Sequence, residues 1–187
     1  MFDNDYLSGT EADIIKRRVA IMGSQASGKS SLSSRFFHMK YDDNYIPTID
    51  NVWQKTFTLD GDNYSLKVFD NLGQDEFAFC PEFYSYQVDG FIVVYSMDSM
   101  KSFEICKSLL KSIIRVMGTK EVPLVLVANK SDVNGKVKVP KPLESSAKVD
   151  KNVKEIFYNM MYQINKIHQF TSKITTDQTR SNKCTIC

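Results

Sequence analysis

The stretch GSQASGKSS, residues 23–31, directly after the apolar run VAIM, constrains the fold more than any other part of the chain. Gly23, four intervening residues and then Gly28-Lys29-Ser30 suit a loop in which glycines let backbone N–H groups converge on a phosphate. The following helix adds its positive N-terminal end. Such a loop needs a strand before it and a helix after it. VAIM is strand-like and KSSLSSRFFHM is helix-like, so the sequence predicts strand, loop and helix in that order. In that geometry Lys29 reaches the β- and γ-phosphates, and the Ser30 hydroxyl binds Mg²⁺. A Gly/Ser-rich turn before a helix can also occur by chance. The loop alone chooses neither ATP nor GTP.

Further along, apolar runs rich in β-branched residues recur at KRRVAIM, VWQKTFTL, NYSLKVFD, DGFIVVYSM and VPLVLVANK. The second and third flank DGD, a hairpin turn signal. GFIVVYS and PLVLVAN are apolar on both faces, as strands covered by helices on both sides are. Phe103, Cys106, Leu110, Ile113 and Met117 recur at helical spacing, as do Val153, Ile156, Phe157, Met160, Met161, Ile164 and Ile167. Strands alternating with helices predict an α/β domain with a mostly parallel sheet and helices on both faces.

The bulk numbers exclude several classes. A chain of 187 residues, 42% hydrophobic and 25% charged, suits one ordered domain. A net charge of +2 gives no basic surface for nucleic acid, so no nucleic-acid partner is expected. No apolar run approaches the roughly 20 residues that span a bilayer. The start, MFDNDYLSGTEADIIK, is acidic and lacks the pattern of a signal peptide. Cys80 and Cys106 are internal and far apart, no disulfide framework, which fits a reducing cytosol. Two histidines, His38 and His168, have no ligand spacing to a cysteine, which excludes His/Cys zinc chemistry.

NKSD, residues 129–132, follows the strand PLVLVA. A carboxylate just beyond a strand end can accept from the N1–H and exocyclic amine of guanine, a donor pair adenine lacks. Ligands of open α/β sheets bind at that end of the strands. ESSAK ends another short extended run downstream. With these residues the sequence resembles the Ras superfamily of small GTPases, and within it most the Rheb branch, over about residues 17–167. The resemblance implies a P-loop NTPase small G domain with a mostly parallel six-stranded sheet. It implies GTP/GDP as ligand, Mg²⁺ as cofactor and GTP hydrolysis as activity.

Roles follow position by position from the resemblance. Gly23, Ser24, Gln25, Ala26, Ser27, Gly28, Lys29, Ser30 and Ser31 form the phosphate loop. Asp132 reads guanine, Asn129 ties its loop to the phosphate loop, and Lys130 lies against the base. Ala147 offers its N–H to the guanine oxygen, supported by Ser146 and Lys148, and Tyr41 stacks on the base. YIPTID, residues 45–50, matches the first switch: Thr48 binds Mg²⁺ and the γ-phosphate, and Tyr45 closes over the phosphates. FDNLGQDE, residues 69–76, matches the second: Asp70 holds Mg²⁺ through water, the Gly73 N–H bonds the γ-phosphate, and Gln74 orients the attacking water. Gln74, Lys29, Thr48 and Gly73 thus form the expected catalytic set. Effectors, an exchange factor and an activating protein are expected at residues 45–53 and 70–87, on a monomer.

Two departures from the family pattern fall where hydrolysis happens. Gln25 stands where relatives outside the Rheb-like members carry glycine, and Leu72 puts a branched side chain beside the γ-phosphate. An arginine supplied by an activating protein is worth ~10³ to 10⁵ in rate, and Gln25 crowds its path. Slow hydrolysis is the expectation. The competing reading is a GTP-loaded signalling scaffold with negligible turnover. A P-loop kinase would need a basic lid, and no segment is assigned to one.

Between Asp132 and Ser146 the chain reads VNGKVKVPKPLES, where relatives carry a helix. Pro140 and Pro142 argue against one, so the helix between the last two strands is expected to be missing. Residues 1–15 form an acidic arm, 16–170 the GTPase domain and 171–187 a flexible tail. The arm, with Phe2, Tyr6, Leu7, Ile14 and Ile15, is expected to cover the face the missing helix leaves bare. CTIC at the end reads either as a redox-spaced pair or as a prenylation signal on Cys184. After a GTPase domain lipidation is preferred, placing the protein in the cytoplasm, peripherally on the cytosolic face of membranes.

Overall fold

The computed structural model describes residues 14–38, 50–71, 88–133 and 143–181. Within them the element order is β1 (Ile15–Met22), α1 (Lys29–His38), β2 (Asp50–Leu59), β3 (Asp62–Asn71), β4 (Gly90–Ser96), α2 (Met100–Met117), β5 (Leu124–Asn129) and α3 (Val153–Ser181). The strands form one sheet in the order β2-β3-β1-β4-β5. β1 runs parallel to β3 and β4, and β4 parallel to β5, while β2 and β3 are an antiparallel hairpin. The hairpin turn is the DGD signal: Leu59 pairs with Asp62, leaving Asp60 and Gly61 at φ 54° and 91°. Positive φ at both positions matches the right-handed twist of the flanking strands.

Burial follows position in the sheet. β4 is buried along its whole length, because helices cover it on both faces. β1 alternates over its first half and is buried from Val19 to Met22, where it enters the centre. On one face Val19, Ile21, Leu66, Val68, Ile92 and Val94 pack under α1 and α3. On the other, Ala20, Met22, Phe91, Val93 and Tyr95 pack under α2 through Ile105, Cys106, Leu109 and Ile113. Ile105 and Leu109 join the apolar stripe read from the sequence. Phe36 of α1 stacks on Phe157 of α3 with ring centroids 4.0 Å apart, worth about 0.5–1.5 kcal/mol beyond burial.

Local signals set the ends of α2. Ser99 Oγ accepts from the Ser102 N–H at 3.2 Å, and Gly118 takes φ 66° with its N–H donating to the Ile114 carbonyl. The serine cap contributes about 1 kcal/mol.

One expectation is modified by the structure. The six-stranded sheet is five-stranded among the described residues, with residues 143–145 laid against β5 by one parallel bridge, Ala128 to Glu144. The Ala128 N–H donates to Leu143 O at 2.9 Å, and the Ser145 N–H to Ala128 O at 2.8 Å. The run stops there because Ser146 turns away to pair antiparallel with Lys151. No helix lies between Asn129 and Val153 among the described residues, and 134–142 fall outside them. Helix α3 continues to Ser181, past the boundary at 170 read from the sequence. Of the N-terminal arm only Ile14 and Ile15 are described; Ile15 is the first residue of β1 and packs against the α1/α3 face.

Candidate functional site

The carboxyl ends of β1, β3, β4 and β5 lie at one end of the sheet, and the loops leaving β1 and β5 meet there. Gly23 is the first loop residue, at φ 142°, and a Cβ on it would lie 2.0 Å from the Val94 carbonyl oxygen. Only glycine lets the loop cross β4 so closely. Gly28, at φ 93°, faces the other strand: a Cβ there would lie 2.2 Å from Asn129 Nδ2. Between them Ser24 and Ser27 are buried, Gln25 and Ala26 are exposed, and Ala26 takes φ 59°. Ser30 and Ser31 stand in the first turn of α1.

Lys29 is buried and curls back over the loop, its Nζ donating to Gly23 O at 3.2 Å and Ser24 O at 3.0 Å. Burial pulls the ammonium down from 10.5 to about 8, against the opposing attraction of Asp70. A cation so enclosed, with carbonyl dipoles as its hydrogen-bond partners among the described residues, gains from an anion placed in the loop.

Asp70 ends the buried face of β3 and is itself fully buried. Burial raises its pKa, opposed by hydrogen bonds from Ser30 and Trp53 and by the charge of Lys29. Oδ2 accepts from the Trp53 indole N–H at 3.3 Å, while Oδ1 is buried without a hydrogen-bond partner among the described residues. An orphaned carboxylate oxygen beside a serine hydroxyl fits a small hard cation that keeps several of its waters and takes other ligands from phosphate. The residues present thus fit Mg²⁺ held by Ser30 and, through water, Asp70.

The second loop is anchored to the first. Asn129, buried at the end of β5, donates from Nδ2 to Ser27 O at 3.0 Å and accepts at Oδ1 from Ser145 Oγ at 3.3 Å. Lys130 turns the chain at φ 62° and reaches Asp98 at 3.5 Å. Asp132 is exposed, and its Oδ1 accepts a short hydrogen bond from Ser146 Oγ, which itself accepts from the Val149 N–H at 3.3 Å. Ala147 is buried and Lys148 exposed. Arg35 of α1 spans the gap, donating from Nε to Ala147 O and from a terminal nitrogen to Lys148 O, both at 2.9 Å.

Sequence reasoning thus placed Gly23 to Ser31, Asp70, Asn129, Lys130, Asp132, Ser146, Ala147 and Lys148 around one end of the sheet, and the structure brings them together there. Tyr41, Tyr45, Thr48, Leu72, Gly73, Gln74 and Cys184 lie outside the described residues. Of the expected partner surfaces only 50–53 and 70–71 are described. Arg35 and Asp98 were missed, Ser145 was read only as part of ESSAK and Trp53 only as part of the partner segment 45–53, because each acts through a contact distant in sequence.

Comparison with known proteins agrees with this geometry. Residues 18–166 match the model of the Ras family. The chain is 35% identical over 164 residues to the GTP-binding protein Rheb of Homo sapiens, covering 81% of this chain and 89% of that protein. It is 36% identical over 162 residues to the GTP-binding protein Rheb homolog of Drosophila melanogaster (80% and 89%), and 34% over 163 residues to that of Dictyostelium discoideum (80% and 88%). The chain belongs to the Ras family of small GTPases, in its Rheb branch.

Proposed function

We propose that the chain is a guanine-nucleotide switch that holds GTP or GDP with Mg²⁺ and hydrolyses GTP slowly, controlling effector binding at cytosolic membrane faces. The observation that carries this reading is the Asn129 side chain, which joins the phosphate loop at Ser27 to the loop of Asp132 and Ser146. Backbone N–H groups from Ser24 onward and the Lys29 ammonium receive the phosphates. Asp132, oriented by Ser146, accepts from guanine, and the Ala147 N–H, steadied by Arg35, donates to the base oxygen. Magnesium, when bound, neutralises β- and γ-phosphate charge.

Thr48, Gly73 and Gln74 complete the catalytic set in this reading, with Tyr41 and Tyr45 against the nucleotide. Residues 45–53 and 70–87 receive effectors and regulators, and a prenyl group on Cys184 attaches the chain to membranes. One lipid, with Lys173, Arg180 and Lys183 as its thin basic flank, gives reversible attachment. Single-turnover GTP hydrolysis of the wild type against Gln25→Gly and Leu72→Ala tests slow turnover. Both variants should be faster; a wild type equal to both removes the claim.

The alternative, a loaded scaffold with negligible turnover, is favoured by Gln25, which is exposed beside Ala26 in the phosphate loop. Nucleotide content after purification, measured with turnover, separates the two. Purified protein carrying mostly GTP with no measurable turnover selects the scaffold.

A further inference from the structure

Trp53 and Asp70 lie on neighbouring antiparallel strands. The register pairs Trp53 with Val68 and Asn51 with Asp70, making Trp53 and Asp70 diagonal neighbours on one face of the hairpin. The indole N–H uses that proximity to donate to Asp70 Oδ2 at 3.3 Å. The ring is held from its other side by the end of α1. Phe37 stacks on it at 5.9 Å and 24°, and His38 meets it at 5.2 Å and 60°. A ring fixed by two neighbours loses little further freedom when its donor is engaged.

The carboxylate it meets is unequally satisfied. Oδ2 accepts from the indole and from Ser30, whereas Oδ1 is buried with no partner among the described residues. Ser30 and the indole therefore share Oδ2, which leaves Oδ1 as the oxygen open to a further donor.

Resting on the nucleotide-switch reading above, we propose that Trp53 is a positioning residue of the magnesium site. Its indole N–H pins Asp70 Oδ2, so that Oδ1 is presented to a water on the cation. Trp53 also stands three residues beyond Asp50, where β2 begins. It therefore ties the strand that leaves the first switch to the carboxylate that begins the second. Outer partners of metal ligands typically change metal affinity 10–100-fold. Contact through water places this one at the low end.

The test uses the full chain loaded with a fluorescent GDP. Trp53→Phe keeps an aromatic ring against Phe37 and His38 but has no donor. It should raise the Mg²⁺ concentration that half-maximally retains the nucleotide by ~10-fold, with the melting temperature of the loaded protein at saturating Mg²⁺ little changed. A role in packing alone predicts the reverse: a lower melting temperature and unchanged Mg²⁺ dependence. Trp53 is the chain's one tryptophan, so a nitrogen-edited proton spectrum contains one indole N–H resonance. In the wild type that resonance should shift when Mg²⁺ is chelated, and again in Asp70→Asn. This measurement decides the matter if Trp53→Phe does not fold, and a resonance unmoved by both changes overturns the proposal. Wild-type retention that depends on Mg²⁺, with Trp53→Phe indistinguishable from it, sinks the positioning role alone. A wild type that retains no GDP at any Mg²⁺ concentration sinks the switch reading, and this inference with it.

Discussion

Arg35 reaches from the helix behind the phosphate loop to the carbonyls of Ala147 and Lys148, joining the two halves of the site a second time. A hydrogen bond from a charged donor contributes about 1.5–3 kcal/mol. Arg35→Ala should therefore speed release of a fluorescent GDP by about tenfold or more. Arg35→Lys, with no planar fork to serve two carbonyls, should fall between the two. Release rates equal to wild type in Arg35→Ala would show that the loop holds its shape without the arginine.

Gly28 and Asn129 are the tightest point between the loops. A methyl group on Gly28 would meet Asn129 Nδ2 at 2.2 Å, at a φ that side chains rarely adopt. Gly28→Ala should destabilise the protein by more than about 1 kcal/mol and abolish nucleotide retention. Gly61, also at positive φ but with open space around it, is the comparison: Gly61→Ala should cost about 1 kcal/mol and leave retention intact. Chemical denaturation and nucleotide content measure the two effects.

Lys29 makes nucleotide binding depend on pH. Its folded pKa is lowered to about 8 from 10.5. Between those values the unfolded chain holds more protons, so this group adds stability to the empty protein as pH rises from 8 to 10.5. Phosphates restore the ammonium. Binding at pH 9 should therefore take up about one proton, read as the dependence of calorimetric binding heat on buffer ionisation enthalpy. Lys29→Met should bind weakly and without that uptake.

Cys106 is wholly buried on the sheet-facing side of α2, and burial pushes its thiol up to about 12. It should resist iodoacetamide in the folded protein and be alkylated once denaturant unfolds it, as seen by mass spectrometry of its peptide. Rapid labelling under native conditions would mean that α2 opens locally.

The parts of the fold that obey a local rule were legible in the sequence. VAIM with its glycine-rich loop, the DGD turn and the all-apolar GFIVVYS each follow from backbone geometry or from burial on both faces, and each stands where it was expected. The expected sixth strand rested on a short run beside ESSAK, of which one bridge forms among the described residues. Whether such a run becomes a strand depends on how Ser146 pairs with Lys151, which no periodicity encodes. Of the site, the residues that touch nucleotide carry motif spacing. Arg35 and Trp53 hold those residues through contacts 112 and 17 positions away, and a single sequence holds no record of such contacts.

Helix α3 begins beside the base loop, where Asn152 donates to Glu144 O at 2.8 Å, and runs for 29 residues to Ser181. At 1.5 Å per residue it is about 43 Å long, and Ser181 is three positions from Cys184. A lipid on that cysteine would sit on a short tether at the far end of a stiff strut whose other end carries the base pocket. With the strut upright, nucleotide entry and exit would occur well clear of the bilayer, and the angle of the strut, more than tail length, would decide which flank of the domain faces the lipid.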